Sequence, residues 1–296
     1  MRMKADDQGA HNRKYSTMPE LPEVETVARG LDKHIAGDSI ESVWLGSKPE
    51  PLKSSAAEIA DVLECARIVH VRRVGKHIVF DLEIKKSNKK AARAQWIVHL
   101  GMTGQLLIAS PTTELAKHTH AVLKLASGRE LRFVDPRRFG RLAVVRLASK
   151  HSSGFAAPGD EPLEIDAADF IPLFRHRKTP IKSALLNQKL LSGVGNIYAD
   201  EALFRAGIRP RRRAASLTRA ELLKLRDALR EVLREAVKLG GSSINDYVDA
   251  EGRAGFFQLQ HRVYGREGRP CLVCKTPIKR VIIAGRSSHY CPRCQK

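Results

Sequence analysis

No apolar run in the sequence approaches the ~20 residues that a bilayer span requires. The first seventeen residues are polar and lack the apolar core of a secretory signal. Neither membrane insertion nor secretion is therefore expected. Cysteine is scarce, at five of 296 residues, which argues against the disulfide framework of small secreted domains. Acidic side chains are in deficit: 32 Asp and Glu stand against 52 Lys and Arg, a net charge of +20. A surplus of this size points to a polyanion partner, nucleic acid first. The basic residues are spread along the chain, with local runs at Arg175 to Lys178 and Arg209 to Arg213. That distribution describes a long binding face rather than one basic tail.

The length suggests about two domains, and a hydrophobic content of 43% is enough for ordinary packed cores. After Pro22, the residues Val24, Val27, Ala28, Leu31 and Ile35 recur at helical spacing. Glu23 and Glu25 fall in the first turn, where a helix dipole favours them, and Gly37 is the expected stop. Strand-like segments follow at Ser39 to Leu45, Ile68 to Val74, His77 to Ile84, Trp96 to Leu100, Leu106 to Ala109, Ala121 to Leu125, Glu130 to Val134 and Leu142 to Leu147. Ser127-Gly128 reads as a hairpin turn. One helix followed by many short strands predicts an α+β domain built on a β-sandwich. His151 to Pro162, rich in Ser, Gly and Pro, reads as a linker. Beyond it, Thr218-x-x-Glu221 is a capping box ahead of a long amphipathic helix that Gly240-Gly241 should end. Asp246 to Gly268 reads as a loop.

Four of the cysteines lie at the C-terminus as Cys271-x2-Cys274 and Cys291-x2-Cys294, sixteen residues apart. Each pair fits a tight turn offering two thiolates, and the spacing is that of a zinc ribbon. The fifth, Cys65, is expected to be a small buried apolar residue without function.

At the other end, Met18-Pro19-Glu20 has the form of a start from which methionine is removed to leave proline first. A free proline nitrogen is a secondary amine. With α-amino groups titrating near pH ~8, part of it is unprotonated at neutral pH, and it can add to a carbon to give an iminium ion. Seventeen residues precede Met18. While they remain attached, the Pro19 nitrogen is a tertiary amide and cannot react, so residues 1–17 are expected to be a mis-assigned start or a removable extension.

Other constellations admit two readings each. Gly193-Val194-Gly195-Asn196, before a helix, suits a backbone phosphate contact or a packed interhelical turn. Asp135-Pro136-Arg137-Arg138-Phe139-Gly140 suits a wedge inserted into a duplex, or a surface loop with Phe139 in the core. Met102, between Gly101 and Thr103-Gly104, is not expected to be a regular core residue. Lys76 at a turn receives no role from composition, His118 before a strand reads as structural or surface, and Arg286 in the zinc hairpin suits a phosphate contact or an ordinary exposed arginine.

Taken together, the Pro-Glu-Leu-Pro-Glu-Val-Glu-Thr opening, His99-Leu100-Gly101-Met102, the Asp-Pro-Arg-Arg-Phe-Gly loop, Gly-Val-Gly-Asn-Ile-Tyr-Ala and the four-cysteine finger resemble the formamidopyrimidine-DNA glycosylase family over Met18 to Lys296. The resemblance implies a multidomain α+β protein: a leader at 1–17, a helix-plus-sandwich domain at 18–150, a linker at 151–163, a helix–two-turn–helix domain with a lesion-recognition loop at 164–255, and a zinc finger at 256–296. It implies a bifunctional glycosylase and abasic-site lyase for oxidised purines, working as a monomer on double-stranded DNA with one structural zinc, in the bacterial cytoplasm at the nucleoid. By match to the family, Pro19 is the nucleophile, Glu20 an acid toward the sugar, Lys76 the β-elimination residue and Arg286 the δ-elimination residue. His118, Arg137, Lys178 and Asn196 match DNA contacts, and Met102, Arg137 and Phe139 match gap-filling residues. An endonuclease VIII-like enzyme for oxidised pyrimidines would share the proline, the fold and the finger. Leu21 and the Asp246 to Gly268 loop favour the purine branch.

Overall fold

A computed structural model describes residues 18–84, 92–148, 152, 154–243 and 248–296. The leader, some of the linker, and residues 246 and 247 of the Asp246 to Gly268 loop lie outside the described residues. The chain forms two compact units. One holds Glu23–Ala156 and Ser242–Gly255 together with Pro19; the other holds Glu20–Pro22, Ala157–Gly241 and Phe256–Lys296.

The first unit opens with α1 (Leu21–Ile35). The five residues that set its apolar period, Val24, Val27, Ala28, Leu31 and Ile35, are all buried. Strands β1 (Ile40–Leu45), β6 (Thr119–Leu125), β7 (Glu130–Val134) and β5 (Gln105–Ala109) form one antiparallel sheet in the order β1-β6-β7-β5. A second takes the order β2-β3-β4-β8, from β2 (Ala66–Val74), β3 (His77–Ile84), β4 (Ala92–His99) and β8 (Arg141–Leu147). Residues from both sheets and from α1 share one core that includes Phe80, Trp96, Leu123 and Phe133. This is the sandwich predicted from the strand pattern. Each strand gives one set of side chains to that core because successive residues face opposite sides of a sheet. The β2–β3 turn has only two residues, Gly75 (φ +60) and Lys76, with Val74 paired to His77. Glycine first with positive φ suits a type II′ hairpin. Gly128 (φ +79) turns β6 into β7 as expected.

Three features of this unit differ from expectation. A helix, α2 (Ala56–Leu63), follows β1, capped by Ser55 and burying Ile59, Val62 and Leu63. Cys65 is exposed rather than buried. It leaves α2 in the left-handed conformation (φ +63), which turns its side chain outward, and Ala66 takes the core position instead. The described residues of Ser242–Gly255 (242, 243 and 248–255) also pack with the sandwich rather than with the helices that precede them. Ser242 N donates to the buried Glu23 carboxylate (2.7 Å), Ile108 N donates to Ala250 O (3.0 Å), and Ala250 is buried against Gly30.

The second unit contains α3 (Ala167–Phe170), α4 (Ile181–Leu185), α5 (Asn196–Ala206) and α6 (Arg219–Lys238). The capping box is formed reciprocally by Thr218 and Glu221. A hydrogen-bonded Arg212 beside Glu221 holds that carboxyl down at about 2. Gly240 (φ +75) and Gly241 (φ +80) end α6, with Gly241 N donating to Ala236 O (2.8 Å). The zinc segment forms the hairpin β9 (Lys279–Ile283) and β10 (Arg286–Tyr290). It belongs to the same compact unit as the helices, and a buried Gln295 shows why. Its Oε1 accepts from Cys291 N (2.8 Å) and its Nε2 donates to Ile208 O at the end of α5 (2.8 Å). No helix among the described residues is long and apolar enough to cross a membrane.

Candidate catalytic and nucleic-acid-binding residues

In the first unit, Pro19 is buried just ahead of α1, and Lys76 is half-buried at the tip of the β2–β3 hairpin. The register of β3, β4 and β8 sets His77, His99 and Arg141 side by side at that end of the sheet. The two imidazoles lie 4.9 Å apart. His99 Nδ1 accepts from Gly101 N (3.1 Å), so its proton sits on Nε2. Burial first, then the charges of His77, Lys76 and Arg141, lower the His99 pKa to about 4. His77 is also lowered, chiefly by burial. Both rings are therefore neutral at physiological pH, and the fixed positive charge of this corner lies on Lys76 and Arg141.

The Met102 loop and the Arg137–Phe139 loop lie together. A Cβ on Gly101 (φ +66) would fall 2.5 Å from the backbone carbon of Phe139, so the two loops touch main chain to main chain. Phe139 is 52% exposed, which excludes the reading that places it in the core. The Arg137 guanidinium stacks over its ring at 4.8 Å. A large aromatic left in water beside a stacked cation suits insertion between bases rather than packing. Met102 is half-buried and His118 exposed. Neither sequence composition nor motif singled out Asp135 as more than the start of its loop, yet it is fully buried and bonded to both loops.

In the second unit, Glu20 is buried (3% exposed), and its Oε1 accepts from Ile197 N at the start of α5 (3.2 Å). A Cβ at Gly195 would lie 2.0 Å from the Glu20 carboxyl carbon, and one at Gly193 (φ +94) would lie 2.9 Å from Leu21 Cβ. The glycines expected to admit a phosphate thus admit Glu20 and Leu21, and the helix N-terminus stabilises a carboxylate of the protein itself. Asn196 is the first residue of α5, and its Oδ1 is buried with no hydrogen-bond partner among the described residues.

Lys182, which carried no signal in the sequence, is wholly buried on α4. Its Nζ meets Asp200 Oδ1 of α5 (2.6 Å) and donates to Ser287 O of β10 (2.7 Å). Burial lowers its pKa, while Asp200 and Glu20 act to raise it and Arg286 to lower it. Asp200 Oδ2 accepts from His289 N (2.8 Å). Arg286 opens β10 after a two-residue turn at Ala284 (φ +47) and Gly285 (φ +76), and its side chain is exposed. The strand that carries Arg286 is therefore fixed to α4 through Ser287 and to α5 through His289. Lys178 is exposed before α4.

The sulfur atoms of Cys271, Cys274, Cys291 and Cys294 all lie within 4.8 Å of one another. Two of the separations are 3.9 Å (Cys271–Cys294) and 3.4 Å (Cys274–Cys291). A tetrahedral ion with Zn–S of about 2.3 Å requires S···S near 3.8 Å, so the four sulfurs fit one zinc. Thr276 lowers the Cys274 thiol to about 6, while burial pushes Cys291 and Cys294 up. A bound dication removes that conflict by holding all four as thiolates.

Comparison with known proteins covers nearly the whole of this architecture. The family profile "Formamidopyrimidine-DNA glycosylase N-terminal domain" matches residues 18–142. The "Formamidopyrimidine-DNA glycosylase H2TH domain" matches 158–248, and the "Zinc finger found in FPG and IleRS" matches 268–296. The formamidopyrimidine-DNA glycosylase of Solibacter usitatus is 48% identical over 94% of this chain and all of its own. That of Gluconobacter oxydans is 43% identical over the same shares. Among solved structures, MutM (Fpg) from Thermus thermophilus superposes with a TM-score of 0.78 at 42% identity, covering 94% of this chain and 98% of its own. A Lactococcus lactis Fpg mutant in complex with Fapy-dG-containing DNA gives 0.81 at 32% identity, covering 94% of this chain and all of its own.

Proposed function

The chain belongs to the formamidopyrimidine-DNA glycosylase family, and from that premise we propose a Schiff-base mechanism in which Pro19 and Glu20 open the reaction. The protein is a base-excision-repair DNA glycosylase and abasic-site lyase for oxidised purines, with one structural zinc. A base inside a duplex is out of reach, so the damaged nucleotide is turned out of the stack, at a lower cost than for an intact pair. Met102, Arg137 and Phe139 fill the space it leaves. His118, Lys178 and Asn196 hold phosphates, which positions the duplex without reading its sequence.

The neutral Pro19 nitrogen then bonds to C1′ of the sugar as the bond from C1′ to the base breaks, and the base leaves as its anion and takes a proton from water. The Glu20 carboxylate takes the proton that the Pro19 nitrogen gives up and passes it to the ring oxygen as the sugar opens, leaving an iminium ion between Pro19 and C1′. That cation acidifies the C2′ hydrogen. Its loss expels the 3′-phosphate, a step assisted by Lys76. A second elimination, assisted by Arg286, breaks the C5′–O bond, and hydrolysis of the iminium frees the enzyme. The observation that carries this reading is the position of Glu20. A buried carboxylate adjacent in sequence to the nucleophile is held by a helix N-terminus, so its orientation is fixed before substrate arrives. The net charge of +20 supports residence at the bacterial nucleoid.

The nitrogen can add only when Pro19 is the first residue of the polypeptide. Protein beginning at Pro19, mixed with 8-oxoguanine duplex and borohydride, is expected to give a covalent adduct on Pro19. Mass spectrometry of the N-terminus identifies the species that reacts. An adduct formed by protein that keeps residues 1–17 would mean that another nucleophile acts.

A further inference from the structure

We propose that Asp135, with Thr103, is the positioning residue that sets the duplex-inserting loops. The proposal rests on the gap-filling reading of Met102, Arg137 and Phe139 given above.

Asp135 closes β7 and is fully buried. Its Oδ1 accepts from Thr103 Oγ1 (2.5 Å) and from Arg137 N (3.2 Å), and its Oδ2 accepts from Gly140 N (2.7 Å). Thr103 Oγ1 in turn accepts from Arg137 N (3.3 Å). The backbone of Asp135 ties down a third segment. Its N–H donates to His118 O (2.9 Å), and its carbonyl accepts from His120 Nε2 (2.9 Å) and from Arg138 N (3.2 Å). One residue thus joins the loop of Met102, the loop of Arg137 and Phe139, and the segment of His118.

The carboxylate is used in a particular way. Its hydrogen bonds run to a hydroxyl and to two amides of the inserting loop, one of the stacked Arg137 itself and one of Gly140, just after Phe139. The loop is therefore held at both ends while its tip stays in water. Gly140 is required by the same contact, since a Cβ there would fall 2.4 Å from the Phe133 ring and 3.1 Å from Asp135 Oδ2. The left-handed residue Arg138 (φ +58) lies inside the span that these bonds enclose. An exposed aromatic can wedge stacked bases apart only if its own loop does not yield instead, and an ångström of misplacement costs far more than the lost contact itself.

The test separates insertion from chemistry. Thr103→Val keeps shape but removes the hydroxyl, Thr103→Ser keeps the hydroxyl, and Asp135→Asn keeps volume while removing the charge. Two rates are measured under single turnover with protein beginning at Pro19: base release from an 8-oxoguanine duplex, and strand cleavage of a single-stranded oligonucleotide with a preformed abasic site, where nothing is extruded. Thr103→Val and Asp135→Asn are expected to slow base release by on the order of tenfold to a hundredfold, by loss of preorganisation. Cleavage at the abasic site changes by less than about twofold, and Thr103→Ser returns base release toward wild type. Phe139→Ala serves as the reference. If it does not separate the two rates, the gap-filling reading itself fails. If it does and Thr103→Val and Asp135→Asn do not, or if they depress both rates alike, the positioning role is wrong.

Discussion

The sandwich unit and the helical unit each hold an exposed arginine near a buried carboxylate, but they satisfy that carboxylate in different ways. Asp135 is surrounded by a hydroxyl and backbone amides, and the arginine it positions lies two residues away in the same loop. Asp200 is matched by a buried ammonium, Lys182, and that pair fixes a strand 89 to 105 positions further along the chain. Neutral donors hold a carboxylate through several modest bonds, each replaceable at limited cost. A buried ion pair gives little net stability but is costly to break, because removing one partner strands the other charge. The first arrangement suits a loop that must keep its shape while meeting DNA. The second suits a joint between elements that are distant in sequence.

Zinc removal is the largest way to sharpen this contrast. Structural zinc in small fingers is associated with about 10–16 kcal/mol of binding free energy, which is also folding free energy. Chelation is expected to disorder the β9–β10 hairpin and abolish duplex binding. Both tryptophans, Trp44 and Trp96, lie in the sandwich unit. Their fluorescence should therefore barely move while binding, followed by electrophoretic shift, is lost. A parallel shift in tryptophan emission would break the distinction between the units.

Breaking each carboxylate device comes next. Lys182→Met leaves Asp200 charged and unpaired and should destabilise the protein by about 3–5 kcal/mol, whereas Asp135→Asn should cost about 1 kcal/mol. Denaturant melts measure both. Lys182→Met/Asp200→Leu, which removes both charges, should regain much of the loss. The surviving activity of the Lys182 variant should yield more β- than δ-elimination product, read on a sequencing gel, because the strand behind Arg286 has lost its tether.

The smallest effect is on pH, and each unit carries a histidine that reports it. His99 is lowered to about 4 and His261 to about 3, both chiefly by burial. A base whose folded pKa lies below its unfolded value near 6.5 contributes fully above about pH 6.5. That contribution is lost as pH falls toward the folded pKa. Thermal midpoints should therefore fall from pH 6.5 toward pH 4, and His99→Gln should flatten the sandwich unit's share of the decline, seen by tryptophan fluorescence. A midpoint that rises on acidification would reverse the assignment.

Much of the fold was legible because local rules are strong. Period 3.6 in α1 and α6, period 2 in the strands, the Thr218–Glu221 box and the paired cysteines all act within a few residues. What escaped was short or distant. Helix α2 has only eight residues. Cys65 looked like core because it stands among apolar residues, but one left-handed dihedral angle turned it out. Lys182, Asp200, Thr103, Asp135 and Gln295 are ordinary letters in the sequence. Apart from bonds within the Asp135 loop and the Cys291 amide on Gln295, the partners of their side chains lie 18 to 105 positions away, so no local window contains the interaction.

Sequence alone dictated the components: a helix opened by Pro19-Glu20, eight strands, a capped helix and a four-thiolate finger. Those follow from short-range geometry and from side-chain chemistry that needs no partner to be recognised. Their use was settled by the tertiary structure. It set Phe139 in water, gave the Gly193–Gly195 turn to Glu20 rather than leaving it open, and buried Lys182 and Asp135 where they tie together segments distant in sequence. The physical reason is that burial and charge pairing are properties of what surrounds a group, and only folding brings those surroundings together.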